Sequence, residues 1–336
     1  MTPQPRPARR IARRVVRLAA TAAVLAGLTL TAACGSSSSS DSSSDSAATP
    51  GAGSPKAQAG ASAVPDQDVV SAVAADPALK AELPAAVRSS GVLTLGTTRT
   101  PGTTGLPHAG TTADGKLVGL DIDLREAVAK VLGVTWKPDY GTFASIIPGV
   151  QNGKDDVGMA NFGATKAREQ VVDFASYLTD GQSFLGAADL GLSKVTGLTD
   201  LCGHTVATTP GSTFQQILQD GAGKCAAAGK KPYTVQYFAD TAPIFLGLAN
   251  GKVDIFFGPT LGVKYDAQHV PGTTYLGQIS STTVGFVTAK GSPVAKALSD
   301  AVNKLIATGD YARIFAKWGV PDTGIAASKV NPPATF

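Results

Sequence analysis

The chain has 336 residues, with 29 lysines and arginines against 25 aspartates and glutamates and a formal net charge of +4. With 43% hydrophobic and 16% charged residues it can bury a sizeable core, which excludes a wholly disordered chain, and its length is that of about two domains. The basic excess is local: residues 1–33 carry six arginines (Arg6, Arg9, Arg10, Arg13, Arg14, Arg17) and no acid, leaving 23 basic against 25 acidic residues, a net of −2, over 34–336. That balance argues against a nucleic-acid partner.

The six arginines precede an apolar run from Leu18 to Leu30, followed by small residues and Cys34. A basic segment, about a dozen apolar residues and a small-residue processing site describe a secretory signal peptide. The run is shorter than the ~20 residues a membrane-crossing helix needs. Thr31-Ala32-Ala33-Cys34 resembles a bacterial lipobox, with Thr31 where leucine is usual. The expectation is a leader over 1–33 and lipidation of Cys34, which anchors the exported protein to the outer face of the cell membrane. Cleavage near Ala33 with an unmodified cysteine is the alternative, and the arginine pairs leave a twin-arginine export route open. Residues 34–65 are rich in Ser, Ala, Gly and Pro, with almost no large apolar side chain. Such a stretch cannot offset its ordering entropy, and as a tether of 30 residues it reaches roughly 30 Å.

The elements of the body follow in chain order. Val92-Leu93-Thr94-Leu95 reads as an opening strand, and Asp121 as the N-cap of a helix whose apolar stripe is Leu124, Val128, Val131 and Leu132. The next feature is a repeat at an offset of 98 residues. Ile146-Ile147-Pro148-Gly149-Val150-Gln151-Asn152-Gly153-Lys154-Asp155-Asp156-Val157 parallels Ile244-Phe245-Leu246-Gly247-Leu248-Ala249-Asn250-Gly251-Lys252-Val253-Asp254-Ile255. In each copy an apolar helix stops at Asn-Gly, where glycine suits the C-terminal turn, and a short apolar strand follows: Val157-Gly158-Met159 or Ile255-Phe256-Phe257. Helix, glycine stop and buried strand make an α/β unit with parallel pairing, and two copies a domain apart imply two similar lobes. Thr205-Val206-Ala207 opens the second lobe. Of three cysteines, lipidation of Cys34 leaves Cys202 and Cys225, which outside the cell read as a disulfide rather than two buried thiols. Two closing helices carry Val294, Leu298, Val302, Leu305 and Ile306, then Tyr311, Ile314, Phe315 and Trp318; both stripes read as core.

Over about residues 82–320 the chain resembles the family 3 bacterial solute-binding proteins, the polar amino-acid receptors of ABC importers. The residues that carry the resemblance are Gly119-Leu120-Asp121-Ile122-Asp123-Leu124, Ile147-Pro148 with Asn152-Gly153-Lys154-Asp155-Asp156-Val157, Thr165-Lys166-Ala167-Arg168 with Val172-Asp173-Phe174, and Gly309-Asp310-Tyr311-Ala312-Arg313-Ile314 with Lys317-Trp318-Gly319. It implies an α/β, bilobed periplasmic-binding-protein-like fold (type II), two α/β lobes joined by two crossover strands near Phe184–Ala187 and Val284–Val287. Lobe 1 is then 66–185 with 286–336 and lobe 2 is 186–285. The ligand lies in the cleft between them.

Arg168 is the first site candidate. Thr165 reads as an N-cap, which puts a cation in the first helical turn against the helix dipole; an anionic partner explains it, with an ion pair to Glu169 or Asp173 as the alternative. In the family this position clamps the ligand carboxylate through both guanidinium nitrogens, a geometry lysine cannot copy. Asn161 and Gly163 stand where the family presents the preceding loop, and Phe143 where it has an apolar wall; core packing is the alternative for Phe143. Gly211, Ser212 and Thr213 lead into a helix whose free N–H groups suit an anion, although Ser212 alone reads as a cap. Two departures from the family stand out. Gly258-Pro259-Thr260 puts Pro259 at the place of the aspartate that holds a ligand α-ammonium, leaving another acid such as Asp240 as the substitute, with Thr260 a further ligand-binding candidate. The first loop has Arg99 and His108 in place of an acid and a stacking aromatic. Arg99 offers a second anion contact, and His108 reads as a solvated loop histidine rather than a pocket contact. The ligand expected is a small carboxylate, an amino acid or an amino-acid derivative, and the missing aspartate favours one without a free α-ammonium.

The resemblance implies a monomeric capture protein that closes on its solute and docks on a membrane permease, with no cofactor and no metal. An exported enzyme is the second class. The chain has no Gly-x-Ser-x-Gly elbow, no His-Glu-x-x-His helix and no Walker A loop, and Gly221-Ala222-Gly223 follows no strand. A few relatives of this fold are periplasmic dehydratases, so its three histidines, His108, His204 and His269, keep that chemistry open. A ligand-sensing module that feeds no transporter is the third.

Overall fold

A computed structural model describes residues 64–335. The expected leader, Cys34 and most of the low-complexity tract fall in residues 1–63 and lie outside the described residues.

Asp76 caps α1 (Pro77–Glu82), accepting from the Ala78 N–H at 3.0 Å, and α2 (Ala85–Ser90) ends on Gly91. Then come β1 (Val92–Thr97), a small antiparallel pair of β2 (Gly110–Thr111) and β3 (Leu117–Val118), and α3 (Leu120–Leu132). The expected stripe of α3 is buried: Leu124, Val128, Val131 and Leu132 are at most 1% exposed. Its start differs from the sequence reading. Gly119, not Asp121, occupies the cap, because a Cβ there would run into the His108 carbonyl oxygen. Asp121 lies inside the first turn and is buried.

The chain continues through β4 (Thr135–Tyr140), α4 (Phe143–Gln151), β5 (Val157–Gly163), α5 (Lys166–Glu169) and the 16-residue β6 (Val172–Ala187). The second half holds β7 (Thr205–Thr208), α6 (Thr213–Asp220), α7 (Lys224–Ala227), β8 (Thr234–Tyr237), α8 (Ala242–Ala249), β9 (Ile255–Pro259) and α9 (Thr260–His269). The 17-residue β10 (Thr273–Ala289) then leads to α10 (Val294–Thr308) and α11 (Asp310–Lys317).

The strand order β4-β1-β5-β10-β6-β9-β7-β8 makes β6 and β10 the central antiparallel pair. Toward one end β10 pairs with β5 through Val284–Thr288; toward the other β6 pairs with β9 through Gln182–Gly186. Each outer triplet is parallel, β4-β1-β5 on one side and β9-β7-β8 on the other. The result is a bilobed α/β fold in which two long strands are shared. The pairing of β6 passes from one lobe to the other over Thr179–Gly181, opposite Thr283–Ser281 of β10; Phe184, Leu185 and Gly186 already lie opposite Phe257, Phe256 and Ile255 of β9.

The repeat in the sequence is a repeat of hydrogen bonds. The Asp156 carboxylate accepts from the Thr94 N–H and hydroxyl, both at 2.7 Å, and Asp254 accepts from the Thr205 N–H at 2.7 Å. The Lys154 N–H donates to Asn152 Oδ1 at 3.0 Å and the Lys252 N–H to Asn250 Oδ1 at 3.1 Å. Gly153 and Gly251 have φ of +76° and +71°, the left-handed conformation that ends each helix. The Thr97 hydroxyl donates to the Met159 carbonyl and the Thr208 hydroxyl to that of Phe257. Each aspartate therefore ties the start of a lobe's first strand to the start of its third.

Each lobe packs a core of its own against its part of the sheet. Leu124 and Val128 of α3 pack with Leu298, Val302, Ile314 and Phe315 of the closing helices in one lobe; Val206, Leu218, Ile255 and Phe257 pack around Cys225 in the other. Cys202 and Cys225 form a disulfide with Cα atoms 5.6 Å apart.

Candidate ligand-binding cleft

Two chambers of about 160 Å³ each share a wall made of Ala160, Asn161 and Pro259; one is lined from both lobes, the other by the first lobe with Pro259 of the second. Asn161 and Pro259 are themselves 98 residues apart, so the wall joins the ends of the equivalent strands β5 and β9. The first chamber brings together Phe143, Asn161, Gly163, Arg168, Ser212 and Thr213.

Arg168 reaches this chamber from α5, where the Thr165 hydroxyl accepts from the Arg168 N–H at 3.2 Å and caps the turn as expected. Its guanidinium spans the cleft. Nη1 donates to the Gly163 carbonyl at 2.8 Å in one lobe, and Nη2 to the Gly211 carbonyl at 2.9 Å in the other. The group also lies over the rings of Phe143 and Phe162, 5.5 and 5.6 Å from their centroids. Burial pulls its pKa down to about 10, so it remains a cation at neutral pH. No carboxylate among the described residues pairs with it; Asp173, one alternative partner, is 2.8 Å from Lys290 instead. Phe143 serves both expected ends: it lines the chamber and packs at a tilt against Phe162 with centroids 4.6 Å apart.

The opposite wall is the start of α6. The Ser212 hydroxyl accepts from the Gln215 N–H at 3.2 Å and donates to the Thr209 carbonyl at 2.6 Å, so it is committed to the cap. Gly211 has φ +76°, and a Cβ there would stand 3.2 Å from that of Ala144 in the other lobe. Glycine is thus required twice at this position, by its backbone and by the approach of the lobes.

The model of the bacterial extracellular solute-binding proteins, family 3, matches residues 102–321. The chain belongs to this family. The solute-binding protein is 30% identical over 269 residues to the arginine-binding protein ArgT of Corynebacterium glutamicum, an alignment spanning 76% of this chain and 83% of that one. Among solved structures, an ancestral arginine-binding protein bound to arginine matches with TM-score 0.60 and 30% identity, over 68% of this chain and 98% of the other. An ancestral amino acid-binding protein described as a precursor of cyclohexadienyl dehydratase matches with TM-score 0.61 and 26% identity, over 69% and 97%. In relatives and neighbours alike the named role is binding an amino acid, and several are named as parts of ABC transporters.

Three sequence candidates of this solute-binding protein stand apart from both chambers. Arg99 is exposed and its guanidinium lies 4.4 Å over the Tyr140 ring. Asp240 is exposed and lines neither chamber. The Thr260 hydroxyl is buried against Ser183 and Gln278. His108 differs from its reading as a solvated loop residue: it is 8% exposed and lines the second chamber. Its Nε2 donates to Asp180 at 2.9 Å, and its Nδ1 faces Asp121 at 3.5 Å. Burial alone pushes this imidazole down, but the two carboxylates outweigh it and hold it up at about 10. Asp180 went unread in the sequence. It sits on β6 where the strand passes between lobes and is 4% exposed. The only local sign of it is an acid within a run of otherwise buried strand residues.

Proposed function

We propose that this family 3 protein is the extracytoplasmic substrate-binding lipoprotein of an ABC importer. It captures a small carboxylate-bearing solute, an amino acid or amino-acid derivative, by lobe closure and hands it to a permease. The observation that carries the reading is the Arg168 guanidinium, half-buried between the lobes with no carboxylate partner among the described residues and facing the N-terminus of α6. A ligand carboxylate in that chamber would receive charge-assisted bonds from Arg168 and the positive end of a helix from the opposite lobe. A solute touching both lobes binds the closed form better than the open one, which is what drives closure. Anchoring through lipidated Cys34 at the outer face of the membrane, and action as a monomer, complete the reading. No helix among the described residues is long and apolar enough to cross a membrane.

Thermal-shift screening of the protein against amino acids, N-acylated amino acids, opines and small organic acids tests it. A ligand at 100 times its Kd adds about 2.7 kcal/mol of apparent stability, roughly 5–10 °C for a body of this size. Arg168→Ala should abolish the shift; its retention would move the site elsewhere. The neighbour related to a dehydratase supports an exported enzyme as a second reading. It is the weaker reading because the curated relatives are named as binding proteins. Steady turnover of a prephenate-like acid would favour the enzyme.

A further inference from the structure

Asp180 is the one acid lining the chamber that holds Arg168, and its oxygens are already spoken for. Oδ2 accepts from His108 Nε2 and from Asn161 Nδ2, each at 2.9 Å; Oδ1 accepts from the N–H groups of Gly181 at 2.7 Å and Leu261 at 3.2 Å. A carboxylate offers about four lone-pair positions, so none is left for a ligand ammonium. In the chamber across the shared wall the Asp121 carboxylate faces His108 Nδ1 at 3.5 Å, and burying an ammonium without a counter-charge in the Arg168 chamber itself is costly.

Asn161 has the opposite character. A carboxylate only accepts, so the side-chain atom facing Asp180 must be the NH₂ group, and Oδ1 is turned to the other side of the amide. That oxygen is buried with no partner in the protein. The residue lies on the wall common to both chambers, and its φ of +57° is a left-handed conformation that asparagine tolerates. The cleft thus presents a free cation for a carboxylate and, close by, a neutral acceptor that lacks a donor.

We infer that Asn161 Oδ1 receives an uncharged N–H of the ligand, with Asp180 and His108 as positioning residues that hold the amide in this orientation. The ligand class is a carboxylate bearing a neutral amide N–H next to it, as in an N-acylated amino acid, in preference to a free amino acid. This rests on the reading of the cleft as the site of an amino-acid derivative.

Calorimetry on the purified full chain with matched trios tests it: L-amino acids, their N-acetyl forms and the corresponding 2-oxo acids, which keep the carboxylate and lack nitrogen. In the wild type the N-acetyl form should bind at least tenfold tighter than the other two. Asn161→Gly, which suits the left-handed backbone and should fold, should erase the advantage over the 2-oxo acid. Asn161→Asp should reverse the order in favour of the free amine. Asp180→Asn should cut the N-acetyl advantage about tenfold and leave 2-oxo acid affinity within about twofold, whereas a merely structural role would weaken all three alike. Free amines binding tighter than their acetylated forms, or an advantage that survives in Asn161→Gly, overturns the inference alone. Binding by no member of any trio overturns the amino-acid-derivative reading together with it.

Discussion

His108 is joined to Asp180 across 72 positions of sequence, and that separation is why neither residue was legible before folding. A loop histidine and a strand aspartate carry no local pattern; only the close approach of the first loop to β6 turns them into a buried pair. Arg168 was legible because its environment is local: a capping threonine three residues earlier and a cation where the helix dipole disfavours one. The His108 pair also predicts a pH dependence. The imidazole is raised from its ordinary 6.5 to about 10, so the folded state binds the proton more tightly than the unfolded chain. Its contribution to stability is complete below about pH 6.5 and is lost as the pH climbs toward 10, at up to about 1.4 kcal/mol per pH unit. Chemical unfolding of His108→Gln across pH 6–10 should show this slope flattened; a slope like that of the wild type would refute the pairing.

Elements divided into legible and illegible by the period of their burial. The stripes of α3, α10 and α11 recur at helical spacing and face one core, so the apolar pattern found them. The strands β5 and β9 were found as the tails of the repeat. What the pattern missed was the length of β6 and β10, because nearly every residue of β6 is buried on both faces and leaves no alternation to read. The pair β2–β3, two residues each, is too short for any pattern. Among the connections, the disulfide closes a stretch of 23 residues that includes β7 and α6. Constraint of the unfolded chain by such a loop is worth about 3 kcal/mol. Mild reduction, or Cys202→Ser with Cys225→Ala, should lower the thermal midpoint by roughly 6–12 °C; an unchanged midpoint would mean that the pair contributes nothing to stability.

At the scale of the molecule, Gly211 against Ala144 is a point at which the two lobes meet. Gly211→Ala adds a methyl group at the contact and strains a left-handed residue by about 1–2 kcal/mol. The lobes should then close less fully: ligand affinity should fall about tenfold, and the ligand-dependent drop in radius of gyration, measured by small-angle scattering, should shrink. Unchanged affinity and compaction would show that closure does not depend on this approach. The order of the strands has a further consequence, for the sequence of events in which the protein is made. β10 is the last strand of the chain, yet it lies between β5 and β6 in the middle of the first lobe's sheet. The bridge of Ala175 to Val330 and the bond from the Phe174 N–H to Asn331 add the final residues to the same sheet. In a chain synthesised from its N-terminus, the parallel strands β7, β8 and β9 of the second lobe are complete before β10 exists. In the first lobe β5 can pair with β1 early, but the strand that joins it to β6 is missing until the carboxyl end is present. Such long-range closure is slow, so the two halves of one molecule acquire their order at different times although they share their central strands.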